Sequence, residues 1–135
     1  AVVANDPDVR RAQMMIHRTR TLRSPWLVVT NYQGQEFPRL VRTPEDAEEM
    51  LFDAVLCDVP CSGDGTLRKF VATEGQGAPK MRWHPDRGNR MHATQIAILA
   101  RAVRAAKVGG LIAYSTCSLN PIENEAVVAA VVGGF

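Results

Sequence analysis

The sequence predicts an open α/β sheet with parallel strands. Three observations predict it. Short apolar runs recur at Val2–Asn5, Trp26–Thr30, Asp53–Asp58 and Leu111–Thr116. Helix signals separate them, so strand and helix alternate four times, with no internal repeat. The second and third runs are continuously apolar, as strands covered on both faces of a parallel sheet are.

Taken in order, Val2–Asn5 reads as the end of a short strand. Asp6-Pro7-Asp8 then opens a helix, with Asp6 as N-cap and Pro7 in the first helical position. Met14, Met15, Ile16 and Leu22 supply its apolar stripe, and Ser24-Pro25 closes it. Trp26–Thr30 is the second strand. Thr43-Pro44-Glu45-Asp46 is expected to cap a short helix with acids in its first turn. Asp53–Asp58 is the third strand. Residues 59–90 are rich in Gly, Pro and charge without periodicity, and loops this long inside a compact domain are commonly functional. Met91–Lys107 is a helix with Ile96, Leu99 and Val103 on one face, stopped by Gly109-Gly110. Leu111–Thr116 is the fourth strand. Asn120-Pro121-Ile122-Glu123 starts another helix, with Asn120 at the N-cap and Glu123 in the capping-box position.

Composition bounds the rest. The 135 residues are 46% hydrophobic and 22% charged, with net charge +2, which suits one folded domain over residues 1–135. The longest apolar run, 126–135, is too short for the roughly 18 residues a membrane helix needs. Three cysteines without a basic leader before an apolar stretch argue for reduced thiols in an intracellular protein. The chain opens on Ala-Val-Val-Ala without Met and ends on Gly-Gly-Phe, as an excised piece would. Charge is uneven: residues 45–66 hold seven acids and no base, whereas 67–107 hold nine bases against two acids. The block from Arg68 to Lys107 is either a solvated face or a polyanion contact.

In open α/β sheets ligands bind beyond the carboxyl ends of the strands. The polar residues there are Asp6, Asn31–Gln33, Asp58 and Ser115-Thr116-Cys117. Cys61 lies three residues past its strand and Cys117 follows its own directly. Neighbouring strands lie about 4.8 Å apart, so both thiols can converge on one cleft. Cys57, inside an apolar run, reads as a core residue. Two thiols beside a carboxylate suit a metal, a redox pair or covalent catalysis on a base. Metal and redox readings are disfavoured because no Cys-x-x-Cys spacing occurs. The third fits chemistry at cytosine C5, where a thiolate adding at C6 makes C5 nucleophilic.

The stretch Asp58-Val-Pro-Cys-Ser-Gly-Asp-Gly-Thr66, followed by Tyr114-Ser-Thr-Cys-Ser-Leu-Asn-Pro-Ile-Glu-Asn-Glu125, resembles the Sun-type RNA cytosine-C5 methyltransferases, and most of all their eukaryotic NSUN branch that methylates tRNA. Met91-His92-x-x-Gln95 and Ala4-Asn5-Asp6 also fit, and the match covers essentially the whole chain. The resemblance implies part of a Rossmann-like class I S-adenosylmethionine-dependent methyltransferase fold. Cys117 would be the nucleophile and Cys61 the second cysteine, assisting proton removal and release. Asp58 would hydrogen-bond the base edge. Asp6 would take the ribose hydroxyls of S-adenosylmethionine, with Gln33 near the adenine, where the family usually has an acid, and Asp58 also counted on the cofactor side. Pro60, Arg68 and Lys69 would meet the substrate. The implied partner is RNA, with tRNA the expected class, without membrane or metal, and the implied compartment is the nucleus or nucleolus. A non-catalytic RNA-binding module that keeps the fold is the alternative.

Other residues take blander readings. Ser115 and Thr116 are expected to bond local backbone, and Gly63 and Gly65 to serve turns. His17 reads as exposed, and His84 and His92 have no acid partner at a telling spacing. Trp83 and Phe70 suit either base stacking or loop packing. The family's glycine-rich cofactor loop precedes the second strand, and no Gly-x-Gly cluster precedes Asp6. With the family order 3-2-1-4-5, the strand lost with that loop is the central one. Two strand pairs flanking a slot are therefore expected, and the 135-residue chain alone is expected to be inactive.

Overall fold

The computed structural model describes residues 1–41, 43–45, 48–66, 84 and 86–134. It divides into two units, Ala1–Arg39 and Leu40–Phe135.

The first unit holds β1 (Val2–Asn5), α1 (Val9–Thr19) and β2 (Leu27–Thr30). β1 and β2 pair in parallel, from Val2 opposite Leu27 to Asn5 opposite Thr30. The helix starts later than the sequence suggests. Asp8 is the N-cap, and its carboxylate accepts the Arg11 N–H. Asp6 instead accepts the Asp8 N–H at 2.8 Å, making the turn that leads into the helix. Asp6-Pro7-Asp8 offers two acids two residues apart, and the second has the extended backbone a cap requires. At the other end a 3-10 turn over Arg20–Leu22 ends in the left-handed Arg23, just before Ser24-Pro25. Met14, Ile16 and Leu22 are exposed and Met15 is half-buried, so the expected apolar stripe is only partly covered within this unit.

The second unit holds β3 (Phe52–Asp58), α2 (Asp86–Ala105), β4 (Ala106–Ser115) and α3 (Glu125–Val132). β3 and β4 run parallel and pair regularly from Ala54 opposite Leu111 to Asp58 opposite Ser115. Both expected strand pairs are thus present. The glycine pair acts differently from expectation: α2 ends at Ala105, and Gly109-Gly110 lie in an irregularity of β4 before regular pairing begins. Gly109 has φ +79°, and a Cβ on Gly110 would meet three backbone oxygens at 2.9–3.3 Å. Residues 43–45 form a bend and turn rather than a helix, and Val41 and Glu49 make an antiparallel bridge; Asp46 lies outside the described residues. α3 begins at Glu125, because residues 121–124 turn before the helix starts.

The core of this unit sits on one face of β3–β4. Cys57 and Val59 pack with Leu99 and Ala102 of α2 and with Val127 and Val131 of α3, backed by Val55, Ile112 and Tyr114. Ile96 and Val103 join Leu99 on the expected face of α2. Fully burying a side chain such as Leu99 is worth roughly 1.5–3 kcal/mol. The other face departs from the two-sided burial expected of such runs: Leu56 is 83% and Leu111 74% exposed, because both helices cover the side that carries Val55 and Cys57. No helix among the described residues is long and apolar enough to cross a membrane.

Candidate active site

The register of β3 and β4 places Asp58 beside Ser115, so both chains leave the sheet at the same level. The Val59 N–H donates to the Ser115 carbonyl at 3.1 Å and carries the pairing one residue further. Ser115 does not bond local backbone as expected; its hydroxyl donates to the exposed Asp58 carboxylate at 2.9 Å. Thr116 donates to Asn124 Oδ1 at 2.7 Å and accepts the Ser118 N–H at 3.1 Å, which fixes the turn after β4.

Beyond that point the two cysteines meet. Cys61 Sγ lies 3.0 Å from Cys117 Sγ, and the Cys117 N–H donates to Cys61 Sγ at 3.2 Å. Both thiols are free. Burial, and then the hydrogen bond with Cys117, push the Cys61 thiol up to about 11, against backbone N–H groups that pull it down. Cys61 therefore keeps its proton at neutral pH. Cys117 is the exposed member of the pair, open to a partner arriving from solvent. Cys57 is buried in the core as expected, which raises its pKa.

The loop after Cys61 is shaped to reach Cys117. Gly63 serves a turn as expected and takes a left-handed φ of +77° there. The Gly65 N–H donates to the Cys117 carbonyl at 3.1 Å, and a Cβ on Gly65 would sit 2.8 Å from that oxygen. Only glycine fits there unstrained. Asp64 accepts the Leu119 N–H at 2.9 Å and the Gly65 N–H at 3.0 Å, tying the two loops together. Burial opposes its charge, but these donors and Ser118 outweigh that and hold the carboxyl below its ordinary range.

Sequence reasoning missed what lies beneath the thiols. Glu123, expected as a capping-box acid, is fully buried, and its carboxylate accepts from Ser62, Ser118 and Gln95. Burial alone would raise its pKa, but the donors dominate and lower it. The signal was present in the repeated dipeptide Cys61-Ser62 and Cys117-Ser118, each cysteine followed by a hydroxyl. His92 places Nδ1 2.7 Å from the Ile122 carbonyl and so joins α2 to the same loop.

Asp6 and Gln33 belong to the Ala1–Arg39 unit. Asp6 Oδ1 accepts from Asp8 N–H and pairs with Arg11 at 3.0 Å. Gln33 opens the 3-10 turn Gly34–Glu36. Asn5, read from sequence only as part of a motif, knots this end: Oδ1 accepts from the Thr30 hydroxyl and the Tyr32 N–H, and Nδ2 donates to the Tyr32 carbonyl. Pro60 lies in the Cys61 loop, its carbonyl accepting from Gln95 at 2.8 Å. Arg68, Lys69, Phe70 and Trp83 lie outside the described residues, as does much of the basic block.

Residues 1–133 match the family model for 16S rRNA methyltransferase RsmB/F. The chain belongs to this RsmB/F family. A tRNA (cytosine(34)-C(5))-methyltransferase of Drosophila melanogaster is 44% identical over 133 residues, covering 97% of this chain and 17% of that protein. The multisite-specific tRNA:(cytosine-C(5))-methyltransferase of Saccharomyces cerevisiae is 47% identical over 131 residues, covering 95% of this chain and 18% of that protein. The chain thus spans under a fifth of the length of these curated relatives. The fold matches the crystal structure of NSun6 from Pyrococcus horikoshii with SFG at a TM-score of 0.68 and 21% identity, over 98% of this chain and 30% of that one. This RsmB/F chain therefore has part of a Rossmann-like methyltransferase fold.

Proposed function

We propose that this chain carries the catalytic centre of an S-adenosylmethionine-dependent RNA cytosine-C5 methyltransferase whose substrate is tRNA, and that residues 1–135 belong to a single catalytic domain. The observation that carries the reading is the pair of free thiols in contact at the ends of two parallel strands, Cys117 exposed and Cys61 half-buried. Two relatives named as tRNA enzymes support the substrate class. They also support an intracellular site of action, and the proposal extends to the nucleus or nucleolus.

The chemistry follows from the residues. The Cys117 thiolate adds to cytosine C6, and the electron pair displaced from the C5–C6 double bond makes C5 nucleophilic. Asp58, held by Ser115, accepts hydrogen bonds from the base edge and steadies the ring as charge develops. When bound, S-adenosylmethionine supplies an electrophilic methyl group. The C5 proton then passes to water, the C5–C6 double bond re-forms and Cys117 leaves as thiolate, with the protonated Cys61 beside it assigned to assist that release. The target base must leave its stack to reach Cys117. Pro60, Arg68 and Lys69 are assigned to RNA contact.

The cofactor assignment is consistent with the donor set. Both described contacts of the Asp6 carboxylate use Oδ1, which leaves Oδ2 to accept from ribose hydroxyls. Gln33 would offer its amide to adenine, and Asp58 would face the methyl-transfer side.

The test uses the natural full-length protein, labelled S-adenosylmethionine and tRNA transcripts. Label appears at cytosine C5, Cys61→Ala accumulates a covalent RNA adduct that survives denaturing gels, and Cys117→Ala forms none. An adduct that persists without Cys117 reverses the two roles. Salt-dependent RNA binding without methyl transfer selects the non-catalytic module instead.

A further inference from the structure

Glu123 has no role in the chemistry above, yet its carboxylate is fully buried and receives four donors. Oε1 accepts the Ser62 N–H at 2.7 Å and Gln95 Nε2 at 3.1 Å. Oε2 accepts the Ser62 hydroxyl at 2.5 Å and the Ser118 hydroxyl at 2.7 Å. Ser62 directly follows Cys61, and Ser118 directly follows Cys117. Gln95 also donates to the Pro60 carbonyl, one residue before Cys61. A single carboxylate therefore grips both cysteine loops.

We propose that Glu123 is a positioning residue that sets the separation of Cys61 and Cys117, so that the second thiol stands beside the base carried by the first. The proposal rests on the methyltransferase reading for its purpose, but its geometry stands apart from it. All four partners donate, which only an ionised carboxylate can satisfy in full. The acid is itself anchored from three sides. Its carbonyl accepts the Tyr114 hydroxyl at 2.6 Å, its N–H donates to the Asn120 carbonyl at 3.0 Å, and α2 closes over it at Gly88, where a Cβ would come within 2.9 Å of Oε2. A charge so held transmits its position to both loops through bonds stronger than neutral ones.

The measurement reads thiol proximity in the natural full-length protein, without cofactor or RNA. Diamide oxidises two thiols to a disulfide while its N=N bond takes up the two hydrogens. The Cys61–Cys117 linked peptide is quantified by mass spectrometry after native oxidation. The wild-type protein cross-links readily from a 3.0 Å start. Glu123→Gln keeps the shape but not the charge, and slows cross-linking about tenfold while Cys57 stays protected from alkylation and the thermal midpoint shows a folded protein. Ser118→Ala, which removes the donor on the Cys117 side together with the acceptor of the Asn120 N–H, slows it about threefold and decides the matter should Glu123→Gln fail to fold. Wild-type cross-linking rates in a folded Glu123→Gln, or in Ser118→Ala where the former does not fold, overturn the proposal. If the wild type transfers methyl groups, Glu123→Gln lowers kcat and leaves the KM for RNA unchanged. Absence of methyl transfer from the wild type strikes the function and leaves the cross-linking result standing.

Discussion

The two units are built on different terms. In Ala1–Arg39, Ala12 is the buried apolar residue among those described, and the unit is held by a four-residue ladder and the surface knot of Asn5. In Leu40–Phe135, a core of Cys57, Leu99, Ala102, Val127 and Val131 lies under the strands, with a buried carboxylate network beneath the thiols. The acid proposed for the ribose thus sits in the lightly packed unit and the proposed covalent chemistry in the packed one. Binding a flexible cofactor tolerates side chains that adjust, whereas two sulfurs that must serve one base require a fixed frame.

The largest effect that tests this contrast is on activity. Cys117→Ala should lower methyl transfer by about 10⁴-fold or more, as loss of a covalent nucleophile does. Asp6→Ala, in the other unit, should raise the KM for S-adenosylmethionine roughly tenfold, the cost of one hydrogen bond to a charged group, with a smaller change in kcat. Steady-state kinetics of the full-length protein separate the two. A kcat loss for Asp6→Ala comparable to that of Cys117→Ala would erase the division of labour.

Packing gives the next contrast. Leu99→Ala should destabilise the second unit by about 3 kcal/mol through lost burial and a cavity. Met14→Ala, at an exposed position, should change stability by under about 0.5 kcal/mol. Hydrogen exchange of residues 86–134 against 2–30 under mild denaturant reads both. Gly65→Ala comes between them: its Cβ would press on the Cys117 carbonyl, costing about 1–3 kcal/mol and slowing methyl transfer as the loop shifts. Unchanged activity in that variant would mean that the Cys117 loop need not stay where Gly65 allows it.

The same contrast governs what the sequence made legible. Strands and core showed plainly, because Val55, Cys57 and Leu99 follow the periods that burial imposes. The meeting of Cys61 and Cys117 was legible from their place past strand ends. Element edges were less so: Asp6 and Asp8 compete for one cap, and Gly109-Gly110 reads as a helix stop until the register shows a strand irregularity. Glu123 was misread for a deeper reason. A capping-box acid and a buried acceptor share the local pattern Asn-Pro-Ile-Glu, and only the tertiary approach of Ser62 and Gln95, 61 and 28 residues away, separates them.

The smallest effect is also the most selective, and it concerns pH. Cys61 has its pKa raised from 9.0 to about 11, so the folded protein holds that proton more tightly than the unfolded chain does. Its contribution to stability is complete below pH 9 and is lost as pH rises from there through 11. Tyr114, raised to about 12 by burial and then by the charge of Glu123, adds loss at the upper end of that window. Glu123 and Asp64 act in the opposite sense. Their pKa values are lowered from 4.5 and 3.8, so their contributions are present above those values and disappear as pH falls below them. All four groups lie in the Leu40–Phe135 unit, so hydrogen exchange of residues 86–134 should accelerate at both ends of the pH scale after correction for intrinsic exchange. Cys61→Ala should flatten the alkaline limb between pH 9 and 11 and leave the acid limb alone, while Glu123→Gln should flatten the acid limb and, by removing the charge beside Tyr114, trim only the upper end of the alkaline one. If Cys61→Ala kept the full alkaline limb, the proton on Cys61 would not be bound more tightly in the folded protein, and its place as the proton-holding partner of Cys117 would fall with it.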